Sequence, residues 1–202
     1  GQRINQALRR RPGSCDFSRI RGITMTRNFI TIVITSPDEV SDEASRISEL
    51  LSSGKTDFVH IRKPYSSIRD VRNLIENIPQ PLRSRLRLHG HFALLDEFSL
   101  AGAHLNSRCP DAPYNARSLT RSCHSLSDLH DLDRYEYVTL SPVYDSISKS
   151  GYKSAFDIGT IKGKLPPGKV IALGGVTPDR FSELKEAGFA GAAMLGAVWG
   201  NQ

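Results

Sequence analysis

The histidines of this chain are concentrated where catalytic side chains are expected. Five of the six end or directly follow short apolar segments that predict strands. Arginine, serine and asparagine accompany them, and the set comprises His60, Arg62, His89, His91, His104, Asn106, Ser122 and His124. Imidazole transfers protons near neutral pH, and a guanidinium group binds anions through its fixed fork of donors. These residue types predict a site that moves a proton on a small anionic substrate.

Two glycine-containing loops supply the expected anion site. Gly174 and Gly175 follow one predicted strand, and Gly196 and Ala197 follow the next. Glycine lets main-chain N–H groups approach an anion closely, and a helix N-terminus beyond it adds a favourable dipole. We therefore predict that these four residues bind phosphate. The alternative for Gly174 and Gly175 is a tight turn without a ligand.

His124 is the leading candidate for proton transfer because it follows Ser122 closely at a strand end. The alternative for any single histidine is a hydrogen-bonded structural residue. His89 and His91 would share one face of a strand, a spacing that could suggest a metal site. No carboxylate adjoins them in the sequence, so we expect no metal there. Arg62 is expected to bind an anion, and its alternative is a salt bridge across the mouth of the fold.

Short apolar runs alternate with helix-like stretches from residue 28 onward. Strands are predicted at Phe29–Thr35, Asp57–Arg62, Leu86–His89, Ala103–Leu105, Leu119–Cys123, Tyr135–Leu140, Val170–Leu173 and Ala190–Leu195. Helices are predicted at Glu39–Ser53, Ser66–Ile78, Phe92–Phe98, Leu126–Leu132, Phe156–Lys162 and Pro178–Ala187. Such alternation is typical of a parallel sheet, either open and doubly wound or closed into a barrel.

The number of strands favours the closed form. No GxGxxG follows the first predicted strand, which argues against a dinucleotide-binding sheet. We predict an α/β protein with a single (β/α)₈ TIM barrel. The active site of such a barrel lies at the C-terminal ends of its strands, where the histidines and the two glycine loops fall.

Composition excludes several classes of protein. With 39% apolar and 24% charged residues, the chain is neither disordered nor a membrane bundle, and we expect no membrane partner. The net charge of +6 comes mainly from residues 1–24, which contain six arginines and one aspartate. We expect these residues to be a basic leader outside the core, the barrel to occupy residues 25–202, and nucleic acid not to bind. Three scattered cysteines predict no disulfide framework and indicate a cytoplasmic location.

Six motifs, in order along the chain, resemble the thiamin phosphate synthase and TenI family. Residues 58–64 (FVHIRKP) are similar to V-Q-[LI]-R-x-K, and residues 102–107 (GAHLNS) to G-V-H-L-G-Q. The other four are residues 122–125 (SCHS), 140–149 (LSPVYDSISK), 172–176 (ALGGV) and 193–198 (AMLGAV). The resemblance implies a (β/α)₈ barrel that acts in thiamin biosynthesis, with a small phosphorylated molecule as substrate.

The resemblance also implies roles for the matched residues. The amides of Gly175, Gly196 and Ala197 would hold the phosphate of hydroxyethyl-thiazole phosphate, and His124 would be the acid/base of TenI-type tautomerases. The residues expected to contact substrate are His60, Arg62, His89, His104, Ser122, Ser146, Ser148 and Lys149.

Departures from the family motifs decide which reaction we expect. The two aspartates that hold Mg²⁺ in the synthase align with Gly90 and Cys109, although Asp111 could replace one of them. A glutamine and an asparagine of the motifs are replaced by His60 and His89. Imidazole and thiol serve Mg²⁺ poorly, because that ion prefers hard oxygen ligands.

We therefore expect a TenI-like, metal-independent thiazole tautomerase that needs no cofactor and could form a homo-oligomer. The first alternative is a divergent, Mg²⁺-using synthase that joins a pyrimidine pyrophosphate to thiazole phosphate and releases pyrophosphate. The second is a non-catalytic protein that binds thiazole or thiamin phosphate.

Overall fold

The computed structural model describes residues 29–145, 154 and 156–199, and its eight strands form one closed parallel barrel. The strands are β1 (Ile30–Ile34), β2 (Phe58–Ile61), β3 (Leu86–Leu88), β4 (Gly102–Leu105), β5 (Leu119–Cys123), β6 (Tyr137–Leu140), β7 (Val170–Leu173) and β8 (Gly191–Met194). Each strand pairs with its sequence neighbour, and β8 closes the barrel against β1. The predicted (β/α)₈ barrel and all eight predicted strands are confirmed.

The helices in the connections between the strands are short. The α-helices are α1 (Glu43–Ser52), α2 (Ile68–Glu76), α3 (Ile158–Ile161), α4 (Phe181–Ala187) and α5 (Gly196–Trp199). Segments of 3₁₀-helix cover Gln80–Arg85, Phe92–Asp96, Leu126–Asp128, Leu132–Arg134 and Pro178–Arg180. Within the described residues, no helix is long and apolar enough to cross a membrane.

Two predicted helices are wrong in type. The predicted helices Phe92–Phe98 and Leu126–Leu132 form 3₁₀ segments instead. After β5, the carboxylate of Asp128 accepts hydrogen bonds from the main-chain N–H groups of His124 and Ser125, at 2.8 and 2.9 Å. Asp131 then has a left-handed conformation with φ of 53°, which a continuing helix does not permit. The Asp128 bonds form a capping box that begins the segment at Ser125, and the left-handed backbone of Asp131 prevents it from continuing as an α-helix.

Alternation along the strands divides the barrel interior into an apolar and a polar half. The apolar half comprises Ile32 and Ile34 of β1, Ile171 of β7 and Ala193 of β8, together with Tyr137 of β6 at its border. Successive strand side chains point to opposite faces, so the corresponding inward positions of β2 to β6 can be read from the register. They are the buried polar residues His60, Arg87, His104, Thr120 and Thr139.

Arg87 is fully buried at the lower end of the polar half. Its Nη2 donates to the carboxylate of Glu136 at 2.7 Å and to the hydroxyl of Ser118 at 2.8 Å. The guanidinium carbon lies 5.4 Å from the centre of the Tyr137 ring, and Nη1 reaches the main-chain oxygens of Ser118 and Ala103. A buried charge persists only when it is paired and hydrogen-bonded in this way.

Gly191 is required where β8 closes the barrel. A Cβ atom at this position would lie 2.2 Å from the main-chain oxygen of Ile30 on β1, so the strands would have to separate. We expect Gly191→Ala to lower the free energy of unfolding by about 1–3 kcal/mol, the usual cost of overpacking. That corresponds to a melting temperature lower by about 2–4 °C per kcal/mol, measured by calorimetry.

Gly90→Ala is the matched control, because its new Cβ would meet only Cys109 Sγ at 3.7 Å, an ordinary contact. Equal melting temperatures for Gly191→Ala and Gly90→Ala would show that the seam between β1 and β8 is not close-packed.

Candidate functional site

A pocket of about 580 Å³ opens at the C-terminal ends of the strands. This volume suits a small-molecule ligand, and every strand of the barrel contributes to the lining. The lining residues at the strand ends are Ile34, Ile61, Arg62, His89, Asn106, Ser122, His124, Ser141, Leu173 and Leu195. Apolar side chains from β1, β7 and β8 therefore face polar side chains from β2 to β6 across the pocket.

The pocket brings together three of the eight predicted substrate-binding side chains and the predicted proton carrier. Arg62, His89, Ser122 and His124 line it, whereas His60 and His104 do not. His60 is 0% and His104 1% exposed, so both lie in the layer of side chains beneath the pocket. The predicted residues Ser146, Ser148 and Lys149 lie outside the described residues, as does the predicted leader at 1–24.

His124 is exposed at the rim of the pocket, directly after β5. Its main-chain N–H donates to Asp128, which fixes the backbone there. Its Nδ1 lies 3.3 Å from both the main-chain oxygen and the hydroxyl of Ser141 after β6. The ring is thus oriented by a neighbouring strand end while it remains in contact with solvent, and it can exchange protons with a ligand in the pocket.

His89 lines the pocket and is the first member of a hydrogen-bonded chain that continues into the barrel interior. Its Nε2 lies 2.9 Å from Nδ1 of His60, and Nε2 of His60 lies 2.7 Å from the Tyr137 hydroxyl. His104 stacks on His89, with ring centres 4.1 Å apart and planes inclined by 18°. Its Nδ1 and Nε2 lie 2.8 and 2.9 Å from the hydroxyls of Thr120 and Ser122.

Burial keeps the three clustered imidazoles uncharged. Desolvation, followed by the charge of neighbouring groups including Arg87, holds the pKa of His60 and of His89 well below the usual range. The same causes lower the pKa of His104 to about 3. Neutral imidazole is the form that ligates metals, and His60, His89 and His104 offer ring nitrogens that all lie within 4.8 Å of one another.

His89 and His91, the pair whose spacing was considered for a metal site and not adopted, do not share a face. His91 has a left-handed backbone with φ of 54°, and its Nε2 lies 3.0 Å from the main-chain oxygen of Ser66, which precedes α2. Sequence reasoning also missed Tyr137, although the alternation of Tyr137 and Thr139 on β6 could have identified it as inward-facing.

The wall of the pocket beside β3 and β4 carries cations and no carboxylate among its described lining residues. Gly90 and Cys109 are neighbours there, since a Cβ on Gly90 would lie 3.7 Å from Cys109 Sγ. Arg62, Lys63 and Arg108 line the same wall. Lys63 is paired with the buried carboxylate of Glu43 at 2.8 Å, so Arg62 and Arg108 are the cations available to a ligand among the lining residues that the structure describes.

The two glycine loops directly follow pocket-lining residues, Leu173 and Leu195. Gly174 and Gly175 have φ of 96° and 62°, and a Cβ on Gly175 would lie 2.1 Å from the main-chain oxygen of Asp145. The glycine pair is therefore required by a tight turn against the segment after β6. Within the described residues, the N–H groups of Gly175 and Gly196 have no main-chain acceptor, so the turn leaves donors available for an anion.

Comparison with known proteins identifies a matching family and similar structures of thiamine phosphate pyrophosphorylases. A sequence model of the family described as thiamine monophosphate synthase (TMP-TENI) matches residues 31–198. A thiamine phosphate pyrophosphorylase from Bacteroides thetaiotaomicron has a similar structure, with 33% identity, a TM-score of 0.75 and 85% of each chain covered. An enzyme of the same name from Pyrococcus furiosus is 18% identical, with a TM-score of 0.68 over 87% of this chain and 90% of that one, and so supports the fold alone.

A curated relative matches a shorter part of the chain. The thiamine-phosphate synthase of Latilactobacillus sakei subsp. sakei is 27% identical over 82 residues. The match covers 38% of this chain and only 37% of the length of that protein.

The neutral histidine cluster makes stability depend on pH in a definite window. The pKa of each clustered ring is lowered in the folded state, whereas the unfolded rings take up protons below about pH 6.5. In metal-free buffer, the free energy of unfolding should fall as the pH decreases from about 6.5 to 5, by up to about 1.4 kcal/mol per pH unit for each ring. Urea unfolding at several pH values measures this slope.

His60→Gln/His89→Asn should reduce the slope, because the amide side chains do not titrate. His130→Gln is the control, since that histidine is largely exposed and should leave the slope unchanged. A slope that the double variant does not alter would mean that other groups control the pH dependence.

Proposed function

This chain belongs to the thiamine monophosphate synthase family, and from that membership we propose that it is a TenI-like thiazole tautomerase that acts on hydroxyethyl-thiazole phosphate. The reaction moves a proton on the thiazole ring and needs no divalent ion. The phosphate is held by main-chain amides after β7 and β8, and His124 carries the proton.

The main support for this reaction is that Gly90 and Cys109 are neighbours in the pocket wall. The two positions adjoin in the pocket wall, where two carboxylates could share one Mg²⁺ ion. Gly90 has no side chain and Cys109 carries a thiol, so neither supplies the carboxylate through which Mg²⁺ is usually held. Asp111, the possible substitute, is not among the described residues that line the pocket. A reaction that must neutralise a departing pyrophosphate with Mg²⁺ is therefore poorly supported.

Proton transfer fits the polar side of the pocket. His124 is exposed and oriented by Ser141, so it can take a proton from a bound ring and return it to solvent. Arg62, Ser122 and His89 line the same side and would orient the ring. The apolar side chains of Ile34, Leu173 and Leu195 face them and provide a surface for the thiazole.

A specific observation keeps the synthase as the second candidate. Arg62 and Arg108 line the wall without a carboxylate beside them, and guanidinium groups bind phosphates bidentately. Two arginines could hold a pyrophosphate where a metal would otherwise do so. A protein that binds thiazole phosphate without turnover is the third outcome that experiments must separate.

The deciding assay is tautomerisation of thiazole phosphate in excess chelator, with wild type beside His124→Ala. Turnover should persist in chelator and should fall by about 10²–10⁴-fold in the variant, the usual contribution of a positioned general acid/base. His130→Ala is the control, because that exposed histidine is not among the described lining residues and should leave the rate unchanged.

Each alternative has its own signature in the same samples. Equal rates for wild type and His124→Ala would contradict the role of His124. Mg²⁺-dependent release of pyrophosphate from the two-substrate mixture would establish the synthase. Binding of thiazole phosphate without any turnover would establish the non-catalytic protein.

The phosphate position is tested without the reaction. Inorganic phosphate should shift the amide resonances of Gly175 and Gly196 in an ¹H–¹⁵N NMR titration, because free main-chain donors near a pocket bind anions. The amide of Gly163, after α3, should not move. A shift confined to residues around Arg62 and Arg108 would place the phosphate on the opposite wall.

A further inference from the structure

We propose that His60, His89 and His104 form a binding site for a transition-metal ion of the Zn²⁺ type inside the barrel, beneath the pocket. The site is separate from the proton transfer assigned to His124, and it does not depend on which phosphate reaction the pocket carries out.

The topology brings the three ligands together from three adjacent strands. His60 lies on β2, His89 directly follows β3, and His104 lies on β4. One ring nitrogen from each lies within 4.8 Å of the other two, and the His60 and His89 nitrogens are already 2.9 Å apart. The nitrogens around a bound ion lie closer together than this limit, and the His89 and His104 rings are nearly parallel, so loading requires at least one of these two rings to rotate.

The ligand type selects the metal. Imidazole nitrogens suit Zn²⁺, Cu²⁺, Ni²⁺ and Fe²⁺, whereas Mg²⁺ and Ca²⁺ require oxygen ligands. Three histidines occupy three positions of a tetrahedral zinc site and leave the fourth for solvent. Burial of His60 and His104 favours the neutral form of the ring, which donates a lone pair.

Hydroxyl groups behind the cluster fix the rings. The Tyr137 hydroxyl lies 2.7 Å from Nε2 of His60, which leaves Nδ1 of that ring for the metal. The Thr120 hydroxyl lies 2.8 Å from Nδ1 of His104, which leaves Nε2, now beside the Ser122 hydroxyl. Partners of this kind on the second ring nitrogen are the usual support of metal-binding histidines.

Metal binding does not require the three rings to lose a proton. The contact between Nδ1 of His60 and Nε2 of His89 holds one hydrogen in the absence of metal. When the metal binds both nitrogens, that hydrogen is replaced, and His89 carries its single proton on Nδ1 instead. The change is a tautomer shift of a neutral ring, and no bond to carbon is made or broken.

The positive charge of Arg87 is the feature that opposes a second cation. It contributes to the low pKa of all three rings. The Glu136 carboxylate, 2.7 Å from Nη2, compensates this charge.

Metal binding to the full chain, stripped with chelator and dialysed, tests the proposal. Zn²⁺ titrated calorimetrically should bind at one equivalent, and Co²⁺ should give the visible absorption bands of a tetrahedral site. His60→Gln/His89→Asn replaces two of the three imidazole ligands with amides and should lose both signals. His91→Gln and Cys109→Ser are matched controls beside the cluster and should keep them.

A thermal measurement removes the possibility that the double variant is misfolded. Without metal, it should unfold cooperatively and show the far-ultraviolet circular dichroism of wild type. Zn²⁺ should then raise the melting temperature of wild type and of both controls, but not of the double variant, because only ligands of the folded state stabilise it.

Absence of stoichiometric binding to wild type, or binding that the double variant retains, would overturn the proposal. So would loss of binding in Cys109→Ser, which would place the ion at the pocket wall. These measurements use no substrate, so their failure is independent of the tautomerase assay.

Discussion

The buried guanidinium of Arg87 is the constraint on which the polar half of the barrel interior depends. An unpaired ion in a protein interior costs several kcal/mol, whereas an ordinary hydrogen bond contributes about 0.5–1.5 kcal/mol. Compensation of this one charge therefore outweighs any single polar contact above it. Glu136 and Ser118 meet Arg87 from the lower ends of β5 and β6, and the ring of Tyr137 covers it. The Tyr137 hydroxyl in turn contacts His60. The position of the histidine cluster therefore depends on the residues that surround and pair with Arg87.

The division of the interior also gives the pocket two unlike sides. The β1, β7 and β8 side is apolar because Ile32, Ile171 and Ala193 fill the barrel beneath it. The opposite side is polar because the inward-facing residues of β2 to β6 beneath it are polar, and His89 and Ser122 are the members of this side that line the pocket. A ligand with an apolar ring and a charged group can thus adopt one orientation, which proton transfer at a fixed atom requires.

Sequence alone was sufficient for the fold and for the edge of the barrel that carries the pocket. Eight apolar runs such as that of β1 could be recognised because each strand is buried on both faces. Contacts between distant strands could not be read in the same way. The bond from His60 to Tyr137 joins residues 77 positions apart, and only the closed barrel with its register makes them neighbours. Nearness in sequence did not predict nearness in the fold for His89 and His91. The left-handed backbone of His91 separates these two side chains, although they are only two residues apart.

The histidines of this chain therefore fall into two chemical classes, and burial distinguishes them. His124 is exposed, so solvent can supply a proton to its ring and remove it again. A proton on His60 or His104 would have to enter a layer with no exposed surface and would lie near the charge of Arg87. Those rings are poor proton carriers and good lone-pair donors, since the environment that prevents protonation leaves a nitrogen free. Imidazole and thiol groups suit softer metals better than magnesium. A metal held by the proposed cluster of His60, His89 and His104 would lie inside the barrel rather than at the pocket wall beside Gly90 and Cys109.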